Sequence, residues 1–175
     1  CIGCLEGCGT PCPVNYEIFP QRIPLETAAT KKKVLVVGGG VAGMEAARIC
    51  AMRGHQVTLV EKDAALGGMV ATLALDPLMA EFKNLVDYLG VQMKKLNIDV
   101  RVCREVTVDV VKEIAPDAVI MATGSYMKIP DEVKGQPAVI DHLEALQNKE
   151  AIGQKVVIWG FVYGGELAIT LANMG

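Results

Sequence analysis

No stretch of this 175-residue chain stays apolar for the roughly 18 residues that a membrane span requires. A basic segment followed by an apolar one is also missing from its start, so no secretory leader is read there. Nor is there an excess of positive charge. Seventeen Lys and Arg stand against 20 Asp and Glu, for a net charge of −3, which argues against nucleic acid as a main partner. The one basic run, Lys31-Lys32-Lys33, precedes an apolar segment and reads as a solvated strand entry. Histidine is scarce. His55 lies in a turn and His142 follows a helix-capping Asp141, neither beside an acid or nucleophile that would make it catalytic. No membrane partner is expected, the expected setting is cytoplasmic, and a homo-oligomer is compatible with the composition.

Hydrophobic residues make up 51% of the chain and charged ones 21%, the balance of a globular protein with a core. Residues 1–30 are rich in Cys, Gly and Pro and read as irregular structure and linker. Beyond them the apolar pattern predicts a strand at 33–37, a helix at 41–53 closed by Gly54, and a strand at 56–60. Asp76-Pro77 has the form of an N-cap followed by proline in the first turn. The helix it opens is expected to run to residue 96, with Leu78, Phe82, Leu85, Leu89 and Met93 on one face. Further strands are expected at 99–102, 118–121, 138–140 and 156–159, and a last helix at 166–175. The order is that of an α/β domain with a mostly parallel sheet. Three parts are expected: a cysteine segment and linker at 1–30, a Rossmann-like nucleotide-binding domain at 31–150, and the start of a second βα unit at 151–175. The chain begins inside a motif, at Cys1, and is read as a piece of a longer polypeptide whose other parts carry the substrate chemistry.

Gly38-x-Gly40-x-x-Gly43 follows four apolar strand residues and opens a helix, the context in which this fingerprint has meaning. Gly38 permits the tight turn, Gly40 lets backbone approach a pyrophosphate, and Gly43 lets the helix pack closely on the strand. The helix start adds free N–H groups and a positive dipole. Glu61, followed by Lys62, ends the second strand where a carboxylate accepts from a ribose hydroxyl and repels a 2′-phosphate. The plain alternative is that the glycines serve turns and Glu61 is a surface charge. Leu66-Gly67-Gly68 and Ala122-Thr123-Gly124 resemble flavoprotein elements near the FAD pyrophosphate and at the end of the flavin-binding strand, and Val106 stands where such proteins hold adenine by backbone contacts. FAD is the favoured occupant, with ADP or NAD as alternatives.

Cys1, Cys4, Cys8 and Cys12-Pro13 lie within twelve residues. Their spacing is close to the ferredoxin run C-x-x-C-x-x-C-x-x-x-C-P, so a [4Fe–4S] cluster is the leading reading. Zinc is disfavoured by the lack of two separated CxxC knuckles, and disulfides by the lack of any sign of secretion. Cys50 and Cys103 are isolated and read as small buried apolar residues.

Cys1-Ile2-Gly3-Cys4 with Cys8, then Cys12-Pro13-Val14-Asn15, then residues 33–43 together resemble the NADH:flavin oxidoreductases of the 2,4-dienoyl-CoA reductase, 2-enoate reductase and trimethylamine dehydrogenase family. The resemblance implies an N-terminal TIM barrel carrying FMN, a [4Fe–4S] cluster on Cys1, Cys4, Cys8 and Cys12, FAD on the domain after it, and NAD(P)H as donor to a further nucleotide unit beginning near Lys155. It implies an enzyme that reduces an enoate or enoyl-CoA double bond, and no catalytic side chain in this stretch. In trimethylamine dehydrogenase the equivalent region holds ADP as a scaffold, which is the alternative. Two features depart from the pattern. Only three residues separate Cys8 from Cys12, fewer than in the family. After Val156-Val157-Ile158, Trp159 and Phe161 stand where the first two glycines of a second fingerprint would fall, and only Gly164 matches.

Overall fold

The computed structural model describes residues 24–160 and 162–174, together with Cys12. Strand β1 (Lys33–Val37) leads through three glycines into helix α1 (Val41–Met52), and β2 (Gln56–Val60) follows. Then come helices α2 (Gly68–Leu73) and α3 (Phe82–Lys95), strand β3 (Asp99–Arg101), helix α4 (Val108–Ile114) and strand β4 (Ala118–Met121). Helices α5 (His142–Gln147) and α6 (Val162–Met174) close the described chain. The four strands form one parallel sheet in the order β3-β2-β1-β4. β1 lies inside it, and the ends of β1, β2 and β4 meet at one edge, where Val37 pairs with both Val60 and Met121.

Alternation along β1 builds both faces of the sheet. Val34 and Val36 join Met44 and Ala47 of α1, Val57 and Leu59 of β2, and Leu89 and Met93 of α3 in the main core. Leu35, Val37 and Val60 face the other way, against Val106, Val111 and Ile114. Both faces are therefore apolar, as a strand inside a parallel sheet requires. A second core lies apart, where Leu73, Met79, Ala145, Leu146 and Leu167 bring α2, α5 and α6 together. It carries a fully buried carboxylate: Asp76 is 0% exposed, and its Oδ1 accepts from the Leu78 N–H at 2.9 Å and the Thr170 hydroxyl at 2.6 Å.

The helix at 41–53 ends at Met52, with Gly54 beyond it at φ +91°, the left-handed residue anticipated there. Three expectations are corrected. The helix expected from Asp76-Pro77 to residue 96 is two elements, a 3₁₀ turn at Pro77–Met79 and then α3. Asp76 caps the short turn, and the break rotates Met79 into the second core while leaving Leu78 exposed. The strand expected at 138–140 is a turn. Gly135 sits at φ +82°, Pro137 follows, and the Val139 N–H is taken by the Gln136 carbonyl, so local turn chemistry outcompetes pairing. Residues 156–159 form no ladder, and Val157 is 95% exposed. An extended apolar run becomes a strand only when a neighbour takes its N–H and C=O groups, and none of the described strands lies beside this one. Helices α2 and α4 were not anticipated.

Leu59 is fully buried in the main core, so Leu59→Ala should cost about 2–5 kcal/mol of unfolding free energy. Val108→Ala, at an exposed helix start, should stay within about 0.5 kcal/mol. Urea denaturation followed by circular dichroism measures both.

Candidate functional site

The turn between β1 and α1 is built around close approaches that exclude side chains. Gly38 has φ +106°, and a Cβ on it would lie 2.3 Å from the Ala122 carbonyl oxygen. Its N–H donates to Val60 O at 2.8 Å, while Ala122 N–H donates to Val37 O at 2.8 Å. A Cβ on Gly43 would stand 1.9 Å from the Gly38 carbonyl oxygen, so α1 rests on the turn backbone itself. Ala47, one helical turn on, is fully buried and keeps that face small. Gly40 is the contrasting case. Its φ of −68° suits any residue, yet a Cβ there would meet no protein atom within 4 Å. The backbone at Gly40 is thus bare toward open space, directly at the start of α1, which has no side-chain cap and no acidic residue in its first turn. Unsatisfied N–H groups at a helix start attract anions.

Glu61 is held beneath this turn. It is 8% exposed, its Oε2 accepts from the Gly39 N–H at 2.5 Å, and its Oε1 accepts from the Asp63 N–H at 2.9 Å. Charge-assisted bonds of this kind are what allow a carboxylate to be buried. Each oxygen keeps a further lone pair, so the group remains able to accept from a sugar hydroxyl. Lys62, next in sequence, is exposed.

Leu66-Gly67-Gly68 closes on the same turn. Gly67 N–H donates to Gly39 O at 2.8 Å, Gly40 and Gly67 form a parallel bridge, and a Cβ on Gly68 would lie 3.2 Å from the Gly40 Cα. Gly67 and Gly68 both have positive φ, as two successive glycines permit. On the other side Ala122 lies against Gly38 and Gly43, with Thr123 and Gly124 exposed beyond it and Gly124 at φ +77°. Val106 packs on Leu35, Val37 and Val60, at the strand that delivers Glu61. The structure therefore brings Gly38, Gly40, Gly43, Glu61, Gly67, Gly68 and Ala122 to one edge of the sheet. Cys1, Cys4 and Cys8 lie outside the described residues, and Cys12 is half-buried.

Sequence reasoning passed over Gly39. Its N–H holds Glu61, its carbonyl holds Gly67, and a Cβ on it would run into Leu66 Cδ2 at 2.5 Å. The signal was present, as the middle member of three consecutive glycines. Cys50 packs against the main core, and burial pushes its thiol pKa up, with nearby Arg53 partly opposing, as suits an inert thiol. Cys103 corrects the reading of a buried apolar residue. It is exposed in a left-handed turn at φ +54° after β3, its N–H bound to the Asp63 carbonyl. His55 accepts the Lys32 N–H on Nδ1, and His142 begins α5, whose cap Asp141 accepts the Glu144 N–H.

The family model for pyridine nucleotide-disulphide oxidoreductases matches residues 32–175, and a further match covers 16–84. The chain belongs to this family. A bilirubin reductase of Mediterraneibacter gnavus is 37% identical over the whole chain, and a cinnamate reductase of Clostridium sporogenes is 34% identical over the whole chain. The chain spans 29% and 28% of their lengths. Among solved structures, a 2-naphthoyl-CoA reductase complex aligns with 86% of the chain at 36% identity and a TM-score of 0.79, over 23% of its own length. A histamine dehydrogenase from a Rhizobium species aligns with 63% of the chain at 34% identity and a TM-score of 0.57, over 16% of its own length. These relatives bear out the resemblance to flavin-dependent oxidoreductases, and the pyridine nucleotide-disulphide oxidoreductase family gives the Rossmann-like fold its meaning as an FAD/NAD(P)-binding one. Among the described residues no helix is long and apolar enough to cross a membrane.

Gly43→Ala would drive α1 off the turn, because its Cβ meets backbone rather than a movable side chain. It should destabilise the protein by more than about 1 kcal/mol. Gly40→Ala should leave stability within about 0.5 kcal/mol; thermal melts of the two variants measure the contrast. Glu61→Gln, which sets an NH₂ group against a backbone N–H, should cost about 1–3 kcal/mol in the same assay.

Proposed function

We propose that this chain is the electron-transfer part of a flavin-dependent NAD(P)H oxidoreductase, with FAD seated on the Gly38–Gly43 turn. When bound, FAD would supply redox chemistry that links a nicotinamide donor, by way of a [4Fe–4S] cluster on Cys1, Cys4, Cys8 and Cys12, to FMN in an N-terminal TIM barrel of the same polypeptide. The observation that carries this reading is the sheet edge itself. A bare Gly40 backbone, an uncapped helix start and a buried but still accepting Glu61 converge there. A dinucleotide pyrophosphate fits the first two and a ribose hydroxyl fits the third.

In this reading Gly38 and Gly43 shape the cradle, Gly40 leaves room for the phosphates, and Gly67 and Gly68 wall it with backbone alone. Glu61 selects a free 2′-hydroxyl by repelling a 2′-phosphate. Val106 borders the adenine, while Ala122, Thr123 and Gly124 lie along the flavin side, and Lys62 is available to the outer phosphates. The residues bind and orient, and the cofactor carries the electrons, as is general for such enzymes. Reduction of an enoate or enoyl-CoA double bond is supported by the similarity to a cinnamate reductase and to a 2-naphthoyl-CoA reductase.

The second reading is an ADP-holding scaffold of the trimethylamine dehydrogenase type. It is favoured by Trp159 and Phe161 in the second fingerprint and by the similarity to a histamine dehydrogenase. Acid extraction of the full-length protein with quantified iron and sulfide separates the two. FAD released with FMN and about four irons per chain supports the relay; ADP without FAD makes this domain a scaffold; neither nucleotide refutes both. Gly40→Ala should shed the nucleotide while remaining folded. Cys4→Ser should lose the cluster and stop electron passage between the two flavins; passage at the native rate would remove the cluster from the route.

A further inference from the structure

Helix α2 has little of its own to hold it in place. It is six residues long, starts from Gly67 and Gly68 at φ +118° and +53°, and has no side-chain cap. A helix this short is unstable in isolation, and glycine is a poor helix former. Its first end is tied to the glycine turn through backbone, by the Gly67 N–H on the Gly39 carbonyl at 2.8 Å and the bridge to Gly40. Its other end is gripped by side chains from much later in the chain. The Gln147 amide of α5 donates to the Thr72 hydroxyl at 3.4 Å. The Lys149 ammonium, from a 3₁₀ turn at Lys149–Ala151, donates to the Leu75 carbonyl at 2.9 Å. The Thr170 hydroxyl of α6 donates to Asp76 at 2.6 Å, and both residues are buried. Leu73, at the end of α2, packs in the same core as Ala145, Leu146 and Leu167.

We infer that Thr170, acting through Asp76, and Lys149, acting through Leu75, are positioning residues for the nucleotide turn. By fixing the far end of α2 they hold Gly67 and Gly68 against Gly40. The helix is about 9 Å long, so a displacement at one end is carried to the other. The spacing at the turn leaves little tolerance, since a Cβ on Gly68 would lie 3.2 Å from the Gly40 Cα. A small shift of α2 would therefore change the bare backbone face that Gly40 presents. Of the three side-chain grips, the one to Asp76 carries most of the load, because it is buried and its acceptor is a carboxylate. The inference rests on the proposed reading that this turn holds a nucleotide, and it applies to FAD and to ADP alike.

The test uses the full-length protein with its own nucleotide in place. Thr170→Val removes the hydroxyl at nearly unchanged volume and should speed nucleotide dissociation about fivefold, while Thr170→Ser restores the native rate. Met93→Ala, in the main core on α3, is the control. It should lower Tm at least as far as Thr170→Val and leave the dissociation rate native. A native rate in Thr170→Val overturns the inference, and so does an equal acceleration in Met93→Ala, which would make the effect one of general stability. Should Thr170→Val fail to fold, the same reading is taken on Lys149→Met, where a native rate again overturns the inference. Hydrogen exchange is followed in the same samples. The Gly67 amide, donor to Gly39, should exchange about fivefold faster in Thr170→Val, with the Gly38 amide unchanged. That reading needs no nucleotide. An acid extract holding neither FAD nor ADP removes the proposed function, and native Gly67 exchange in the variant then overturns the inference independently.

Discussion

Helix α1 rests on a peptide carbonyl, and that contact sets the position of everything around it. With the Gly38 oxygen only 1.9 Å from where a Gly43 Cβ would stand, no side chain can separate helix from turn. The close seat brings Met44 and Ala47 down onto Val34 and Val36, so the main core begins at the same place as the candidate site. Packing and binding geometry are one constraint here. The helix N-terminus meets open space at Gly40 because Gly43 lets it come so near the sheet.

Burying Glu61 is the second requirement of this edge. A carboxylate at 8% exposure has to be compensated, and both compensating donors are backbone N–H groups of adjacent turns, at Gly39 and Asp63. The acid thereby ties the end of β2 to the glycine turn and to the segment leading to Gly67. Its role in shaping the turn and its capacity to accept from a ligand are not rivals, because different lone pairs serve them.

Much of this was legible in sequence, for reasons that differ by residue. Gly38, Gly40 and Gly43 could be read because strand, turn and helix signals are contiguous there, so local chemistry and tertiary role coincide. Glu61 followed from its place at the end of an apolar run. Residues 138–140 and 156–159 misled because an apolar run says nothing about whether a neighbour exists to pair with it, and at 138–140 turn chemistry at Gly135 and Pro137 decided the outcome instead. Helix α2 was hidden because its entry residues, Gly67 and Gly68, are poor helix formers and owe their place to the Gly40 bridge, a long-range contact. The exposure of Cys103 likewise depends on a turn whose hydrogen bond reaches back to Asp63.

The buried Asp76–Thr170 hydrogen bond joins residues far apart in the chain, one just after α2 and the other on α6. For α6 to shift, that bond must break inside an apolar core or α2 must travel with it. α2 opens at Gly68, and Gly67 before it is bridged to Gly40. The glycine turn and α6 are thereby joined by a chain of contacts that runs through α2, with the Asp76 carboxylate at its far end.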